Sequence, residues 1–515
     1  VCFINIRSWS VRHLKARSVT NKVHKATLPV IALSLMTVVS AVASLNLALP
    51  SIARDFGASQ TQLTWIVDAY TVVFSGLLLF AGALSDKYGR KKLLMIGLSI
   101  YFCSSLFGLF VNNTNNLIAM RIVMGIGAAC IMPSTLSIIT SSFPESERPK
   151  AVGVWIGVAG GGAIIGLFGT AFLMRYFSWH SFFALNLTLA SLAFVGSTKF
   201  IPNSIVENRS LDHLGGIFSV IGIGGLVFGI IEGPERGWLN LVTILGFIVG
   251  LISLILFGFY ESRNVNPLLD LRIFKNRAFS AGVLSITVQF FGQFGFIFVI
   301  LQYLQFLIGY SPWNAVIRLL PLPFILLPVA RISGELSKKM PQKYLGSVGL
   351  AIYAFGILQF SNLGLELSYS RFLVALVFMA SGMALAATPA TTAITSSMPI
   401  HKQGVASAVN DTAREVGSAL GVAIVGAALN TKYREVMLPA VKNLPADIAD
   451  RVSSSIAFTS SPMSMESSDS FEKLRNLAFS GFQSGISFSL KWVSAIALLA
   501  ALSILILAPS RRSEY

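Results

Sequence analysis

Four charged residues stand inside long apolar runs of this sequence, where a charge is costly. They are Asp68, Arg121, Arg318 and Lys491. Each lies about six residues into its run, which is roughly 9 Å at 1.5 Å per residue. Charges at such depth usually face a partner or a water-filled cavity. We expect Asp68 and Arg121, opposite in charge and equal in depth, to pair, with protonation of Asp68 breaking the pair. The alternative is a static pair that only holds two helices together.

A short basic turn separates two of the apolar runs. It reads Gly82-Ala83-Leu84-Ser85-Asp86-Lys87-Tyr88-Gly89-Arg90-Lys91-Lys92, and it has an echo at Gly334-Glu335-Leu336-Ser337-Lys338-Lys339-Met340-Pro341-Gln342-Lys343. Two copies of one turn between membrane-length runs indicate a duplicated membrane protein that moves by rocking one half on the other. Arg318 precedes the second copy by nearly the distance that separates Asp68 from the first. We therefore expect Arg318 to be the counterpart of Asp68 and to face the same cavity.

The composition places these residues in a membrane. The 515 residues are 54% hydrophobic and only 12% charged, whereas a soluble domain has roughly 25% charged residues. The net charge of +17 comes from Lys and Arg in short loops between apolar runs, which fits a membrane surface better than a nucleic acid. The cysteine and histidine residues are scattered, and the sequence shows no phosphate-binding loop. We therefore predict no metal site, no cofactor, no enzyme activity and no nucleic-acid partner.

Fourteen apolar runs are long enough to cross a bilayer as helices. They cover about 27–50, 62–85, 93–111, 116–140, 149–174, 180–200, 214–232, 238–260, 278–303, 312–332, 344–362, 371–395, 403–429 and 484–508. Lys and Arg favour alternate loops, and the bias persists to the end of the chain. This pattern predicts an even number of spans with both termini in the cytoplasm.

The two copies of the basic turn lie eight spans apart, so two extra spans separate a pair of six-span repeats. We predict an all-α integral membrane protein with 14 transmembrane helices, arranged 6+2+6 as two pseudo-symmetric bundles around a central cavity. The predicted parts are a cytoplasmic basic tail 1–26, a first bundle 27–200, two linker helices 201–277, a second bundle 278–508 and a cytoplasmic tail 509–515. The second bundle includes an outer loop, 430–483, for which we expect one or two short amphipathic helices.

Several motifs resemble those of the major facilitator superfamily, and more closely its 14-span drug:proton antiporter branch. The pattern Gly82-x-Leu84-x-Asp86-x-x-Gly89-Arg90-Lys91 matches the loop between the second and third spans of that superfamily. Other matches are Leu47-Ala48-Leu49-Pro50-Ser51-Ile52, Trp65-Ile66-Val67-Asp68-Ala69-Tyr70, Arg121 with Gly125 and Gly127, Asn266 to Phe274, Tyr303-Leu304-Gln305 and Gly309-Tyr310-Ser311-Pro312.

The resemblance implies a secondary-active transporter in the plasma membrane, working as a monomer. It would export amphipathic or cationic small molecules in exchange for protons. Trp65 and Tyr70 would join Asp68, Arg121 and Arg318 around the cavity. The alternative is a transporter of the same fold that handles a metabolite, lipid or peptide with altered or no proton antiport.

The resemblance also implies a conformational latch. Gly82, Asp86, Gly89, Arg90 and Lys91 would lock against the start of the thirteenth span, near Asp411 and Arg414. A carboxylate is favoured at a helix N-terminus, and Gly89 permits a sharp turn. The alternatives are a basic loop that only fixes topology and, for Asp411, Arg414 and Glu415, an internal pair on one helix face.

The fifth span departs from the branch pattern. The glycine ladder Gly153, Gly162 and Gly166 is kept, but Leu167 stands where the branch has proline. Ala41 stands where the branch tends to have an aspartate in the first span. We expect the ladder to act as a hinge or seal between halves, or as a simple helix contact.

Overall fold

The computed structural model describes residues 25–144, 147–203, 212–264, 267–398, 403–460 and 469–510. These ranges fold into helices joined by short connections. Most of the basic N-terminal tail and the last five residues, both assigned to the cytoplasm above, lie outside them.

The helices follow in order along the chain. They are α1 (Thr27–Phe56), α2 (Gln60–Tyr88), α3 (Arg90–Gly108), α4 (Thr114–Ser142), α5 (Arg148–Leu173), α6 (Ser181–Phe200), α7 (His213–Arg236), α8 (Leu241–Arg263), α9 (Arg277–Gln302), α10 (Pro312–Arg318), α11 (Pro321–Ser337), α12 (Gln342–Ser361), α13 (Tyr369–Ser396), α14 (Gln403–Ala440), α15 (Ala446–Ser454), α16 (Ile456–Ser460) and α17 (Asp469–Leu507). A 3₁₀ turn, Leu271–Lys275, precedes α9, and a π turn, Tyr303–Leu307, follows it.

Local sequence sets the ends of the helices that position the site. Ser59 and Gln62 form a reciprocal capping box at the start of α2, which satisfies two free N–H groups. Gly89 ends α2 with a φ of 100°, a backbone conformation that side chains disfavour. The Asn113 side chain accepts from Asn116 N–H at the start of α4. These caps and the Gly89 conformation therefore allow the connections on either side of α2 and before α4 to be short and well defined.

Thirteen helical segments in the described ranges are long and apolar enough to cross a membrane. The chain is thus a multi-pass membrane protein. Helix α5 has 26 residues, but its described apolar stretch, Gly161–Leu173, is shorter than a span.

Two predicted elements have different bounds in the structure. The expected span 312–332 is interrupted, because α10 ends at Arg318 and α11 begins at Pro321, where proline lacks the N–H that would continue the helix. The expected outer loop 430–483 is shorter, because α14 continues to Ala440 and α17 begins at Asp469. Two short helices, α15 and α16, lie between them, as predicted.

The helices pack as two bundles with a linker hairpin. In the first bundle α1 packs against α5 and α6, and α4 packs against α2 and α3. In the second bundle α9, α12 and α17 pack with α13 and α14, and α11 packs on α13. Close approach depends on small residues: a Cβ on Gly382 would lie 2.1 Å from the backbone nitrogen of Tyr353. Such contacts stabilise helix pairs in lipid, where no hydrophobic force drives them together.

Candidate functional site

Arg121 is fully buried on α4 and bound to the neighbouring α2. Its Nε donates to the carbonyl oxygen of Ile66 at 3.0 Å, and its guanidinium carbon lies 4.2 Å from the centre of the Tyr70 ring. The two terminal nitrogens have no hydrogen-bond partner among the described residues. One hydrogen bond and one cation–π contact thus hold Arg121 in place, and its two terminal nitrogens remain available as donors.

Tyr70 belongs to the same polar layer. Its hydroxyl donates to Val38 on α1 at 3.4 Å, and the Tyr101 hydroxyl donates to Thr37 at 3.1 Å. Tyr70 thus connects α2 to α1 and lies beside Arg121, and the position of both residues at a central cavity stays a prediction.

Asp68 does not form the predicted ion pair with Arg121. It is fully buried, and its Oδ1 accepts from the Thr71 hydroxyl at 2.9 Å. The geometry of α2 explains the difference. At about 100° per residue, Asp68 points roughly 200° away from both Ile66 and Tyr70, which are the residues that bind Arg121. The two charges share a depth, but Arg121 of α4 contacts one face of α2, while the Asp68 side chain lies on the opposite face of α2.

Asp68 lies on the face of α2 that meets α14. One turn before it, Thr64 packs against Gly426, where a Cβ would lie 2.6 Å from the Thr64 hydroxyl oxygen. One turn after it, Val72 clusters with Ala419 and Ala423 of α14. The other carboxylate oxygen, Oδ2, has no hydrogen-bond partner within the described ranges. Asp68 is therefore a buried carboxyl group at the seam between the two bundles.

Trp65 contacts the linker hairpin, which differs from its expected place in the cavity. Its indole Nε1 donates to Glu232 Oε1 on α7 at 2.7 Å, and its ring lies 5.9 Å from that of Phe228. The sequence gives no signal for this contact, because it depends on where the hairpin docks.

Arg318 occupies a site of its own at the end of α10. Its guanidinium carbon lies 5.2 Å from the Tyr310 ring centre and 4.9 Å from that of Tyr369. These aromatic contacts, rather than Asp68 or Arg121, surround it. Lys491, the fourth intramembrane charge, is exposed on α17.

The basic turn between α2 and α3 is tied to the first bundle. Asp86 Oδ1 pairs with Arg90 at 3.2 Å, and Lys91 Nζ donates to the Ile201 carbonyl oxygen at 2.6 Å, beyond the end of α6. A Cβ on Gly82 would lie 3.8 Å from Pro133 of α4. The contact of this turn with the start of α14 stays a prediction.

Charged residues of α14 form a second cluster. Asp411 pairs with Arg414 at 3.6 Å, and their side chains are 7% and 18% exposed. The Arg414 guanidinium lies 4.6 Å from the Phe290 ring centre. Glu415 Oε2 has no hydrogen-bond partner in the part of the chain that the structure describes. The pair within one helix is thus present between Asp411 and Arg414, and Glu415, which the spacing places on the same helix face, retains an oxygen without a partner.

The glycine ladder of α5 divides into contact and open positions. A Cβ on Gly166 would lie 2.3 Å from Ser40 of α1, and one on Gly162 would lie 3.6 Å from Val39. A Cβ on Gly153 would meet nothing within 4 Å. The simple helix contact therefore describes Gly162 and Gly166.

Contacts between the two bundles lie at the end opposite the basic turns. Gln305 Nε2 donates to the Leu47 carbonyl oxygen at 3.1 Å, and Asn430 Nδ2 donates to the Thr61 hydroxyl at 3.0 Å. The bundles also meet at a second seam, between α5 and α10, where the ring of Phe172 lies 6.3 Å from that of Trp313. An open apolar groove of about 560 Å³ runs beside this aromatic contact, between α5 and α10–α11.

Two helical bundles with buried charges at their seam are typical of membrane transporters of the alternating-access kind. Residues 31–422 match the family model described as Major Facilitator Superfamily, and the chain belongs to this family, as its motifs indicated. It is therefore a transporter family member rather than an enzyme.

Curated relatives share much of the length. The chain is 31% identical over 438 residues to the methyl viologen resistance protein SmvA of Salmonella typhimurium (strain LT2), covering 84% of this chain and 87% of that one. It is 30% identical to the multidrug efflux pump LfrA of Mycolicibacterium smegmatis, covering 79% and 81%. It is 28% identical to the multidrug resistance protein Stp of Mycobacterium tuberculosis (strain CDC 1551), covering 79% and 76%.

Solved structures share the fold. A bacterial homologue of the human lysosomal transporter Spinster, inward-facing and unoccupied, gives a TM-score of 0.65 at 16% identity, over 96% of this chain and all of that one. A POT peptide transporter gives 0.62 at 14% identity, over 94% and 96%. At such identities the likeness is one of architecture.

Proposed function

We propose that the protein is a secondary-active transporter that exports amphipathic or cationic small molecules in exchange for protons. Relatives named for multidrug efflux and for methyl viologen resistance support the substrate class. The observation that carries the proton coupling is Asp68, a buried carboxyl group at the seam between the bundles that has no ion-pair partner among the described residues.

We further propose the 6+2+6 arrangement, in which α5 is added to the thirteen candidate spans to give fourteen and α7–α8 form the linker hairpin. Both termini and both basic turns lie in the cytoplasm in this proposal, because the positive loops then all face inward. The protein works as a monomer in the plasma membrane, with protons and a small-molecule substrate as its partners.

In this orientation the structure is inward-facing. The hydrogen bonds from Gln305 to Leu47 and from Asn430 to Thr61 close the outer end. Toward the cytoplasmic half of α5, Cβ atoms on Gly153, Gly157 and Gly161 would meet open space. Substrate would thus enter from the cytoplasm.

Asp68 couples this closure to protons. An unpaired carboxylate in an apolar seam costs several kcal/mol or more, so closure of α2 on α14 requires that Asp68 be neutral. When the seam opens outward, water reaches Asp68 and a proton is taken up from outside. Closure then carries that proton inward. Its loss to the cytoplasm leaves an unpaired carboxylate in the closed seam, which favours reopening of the outer end once substrate is bound.

The cation is recognised on the other bundle. Glu415 Oε2 has no hydrogen-bond partner among the described residues, and Glu415 follows Arg414, whose guanidinium lies over the Phe290 ring. A carboxylate and aromatic faces attract an organic cation, while Arg121 binds Ile66 and the Tyr70 ring within the first bundle.

Uptake of fluorescent lipophilic cations into inside-out vesicles with an imposed pH gradient tests this proposal. We expect uptake that a protonophore abolishes. Uptake that persists without the gradient would contradict proton coupling, and a gradient-driven flux of peptides or sugars with none of cations would favour the alternative substrate classes.

A further inference from the structure

The linker helix α7 lies over the same seam that contains Asp68. It packs against α2 of the first bundle and α14 of the second. The two interfaces differ in kind: the one with α2 contains hydrogen bonds, whereas the one with α14 consists of aliphatic contacts. This difference determines which helix α7 follows when the bundles move.

The outer end of the interface between α7 and α2 is held by hydrogen bonds, which depend on direction. Glu232 is 8% exposed, and its two carboxylate oxygens accept from the Trp65 indole at 2.7 Å and from Arg236 at 2.5 Å. Three residues further along α7, Glu235 accepts from the hydroxyl of Ser59, the N-cap residue of α2, at 3.4 Å. Charge-assisted hydrogen bonds are short and depend on geometry, so they oppose sliding of α7 along α2.

The same interface is interlocked toward its inner end. An ideal Cβ on Gly76 would lie 3.4 Å from the Val220 Cβ, and one on Gly216 would lie 3.0 Å from the Phe80 ring. The Phe80 and His213 rings lie 5.5 Å apart. Helix α7 is therefore fixed to α2 over nearly its whole length.

The interface between α7 and α14 is smooth by comparison. Ala419, Ala423 and Leu420 of α14 cluster with Val227 and Ile231 of α7. Methyl and branched aliphatic groups attract one another by dispersion, which has no directional preference, and the alanines leave a shallow surface. Displacement of α14 along α7 therefore breaks no hydrogen bond within this cluster.

We infer that the α7–α8 hairpin moves as part of the first bundle and forms the surface on which α14 slides, with Glu232 as the positioning residue that fastens it through Trp65. The hairpin then covers the lipid side of the α2–α14 seam at the level of Asp68 in every state, which keeps that carboxyl group out of contact with lipid. The inference rests on the alternating movement proposed above but not on the identity of the substrate.

Two disulfides test it in a background with Cys2, Cys103 and Cys130 replaced by serine. Gly76→Cys with Val220→Cys joins α2 to α7 at a separation close to that of a disulfide, and Val227→Cys with Ala423→Cys joins α7 to α14. We expect the first disulfide to leave transport and interbundle motion intact. The second should abolish both, and reductant should restore them. Tolerance of the α7–α14 disulfide together with loss of motion in the α2–α7 variant would overturn the inference.

Point variants test the role of Glu232. In Trp65→Phe and Glu232→Gln, we expect broader spin-label distances between α2 and α7 and a lower transport rate with little change in substrate affinity. Trp492→Phe is the matched control, because that indole is 54% exposed on α17. Unchanged α2–α7 distances in both variants would contradict the positioning role.

The distance measurements need no substrate. They therefore fail or succeed independently of the cation uptake assay. Broadened distances with no cation flux would leave the hairpin inference standing while the proposed substrate falls.

Discussion

At the scale of single residues, α2 keeps two charges apart that the sequence places together. Arg121 binds one face through Ile66 and Tyr70, and Asp68 occupies the opposite face against α14. The rotation of about 100° per residue along a helix determines which face of α2 each residue occupies. Depth in the membrane does not determine it. In the proposed cycle Arg121 stays with the first bundle, and Asp68 is the group whose surroundings change when the bundles move.

Asp68→Asn should uncouple transport from the pH gradient. Asparagine has the shape of the neutral acid, so the α2–α14 seam can close without a proton. We expect downhill substrate flux to persist in proteoliposomes while uphill uptake driven by the gradient is lost. Glu435→Gln, at an exposed carboxylate of α14, is the control and should retain both. Gradient-driven uptake by Asp68→Asn would refute the coupling role.

Glu415→Gln should weaken the binding of cations selectively. The change removes a charge while keeping the volume of the side chain. We expect a cationic substrate to lose roughly tenfold or more in affinity, about 1.4 kcal/mol, and a neutral substrate of similar shape to lose little. Equilibrium binding of the two compounds measures the difference, and equal losses for both would show that Glu415 acts structurally.

At the scale of elements, the sequence predicts most spans because length and hydropathy are local properties. It does not predict the break between Arg318 and Pro321, the extension of α14 to Ala440 or the docking of α7 on α2. Trp65 illustrates why: its partner Glu232 is 167 positions away in the chain. The glycine ladder is visible in the sequence, but only the packing of α1 on α5 separates its members.

Gly166→Ala should destabilise the protein, and Gly153→Ala should not. A Cβ at Gly166 would lie 2.3 Å from the Ser40 Cβ and 2.6 Å from its Cα, so α1 and α5 must separate. At Gly153 the added methyl meets open space, and alanine favours the helix by up to about 1 kcal/mol. Thermal unfolding in detergent should show a lower midpoint for Gly166→Ala alone. A fall of equal size in both variants would indicate that flexibility, rather than contact, requires these glycines.

At the scale of the whole molecule, the two halves meet differently at their two seams. The linker hairpin covers the α2–α14 seam, while the α5–α10 seam has an open apolar groove beside the Phe172–Trp313 contact. The two basic turns are unequal as well, since the first contains the Asp86–Arg90 pair and the echo has an exposed pair between Lys338 and Glu335. This asymmetry is consistent with the different roles that we propose for the two halves.

Asp86→Asn should shift the conformational equilibrium of the whole molecule toward the inward-facing state. Asp86 pairs with Arg90 in the present arrangement, and we predict that it exchanges this partner for the N-terminus of α14 when the cytoplasmic end closes. Such a carboxylate–helix contact contributes about 0.3–2 kcal/mol, so its loss changes the outward-facing population up to about thirtyfold at the upper limit. Spin-label distances across the cytoplasmic end measure that population, with Glu335→Gln in the second turn as the control. An unchanged population in Asp86→Asn, or an equal shift in Glu335→Gln, would mean that the first turn fixes topology only.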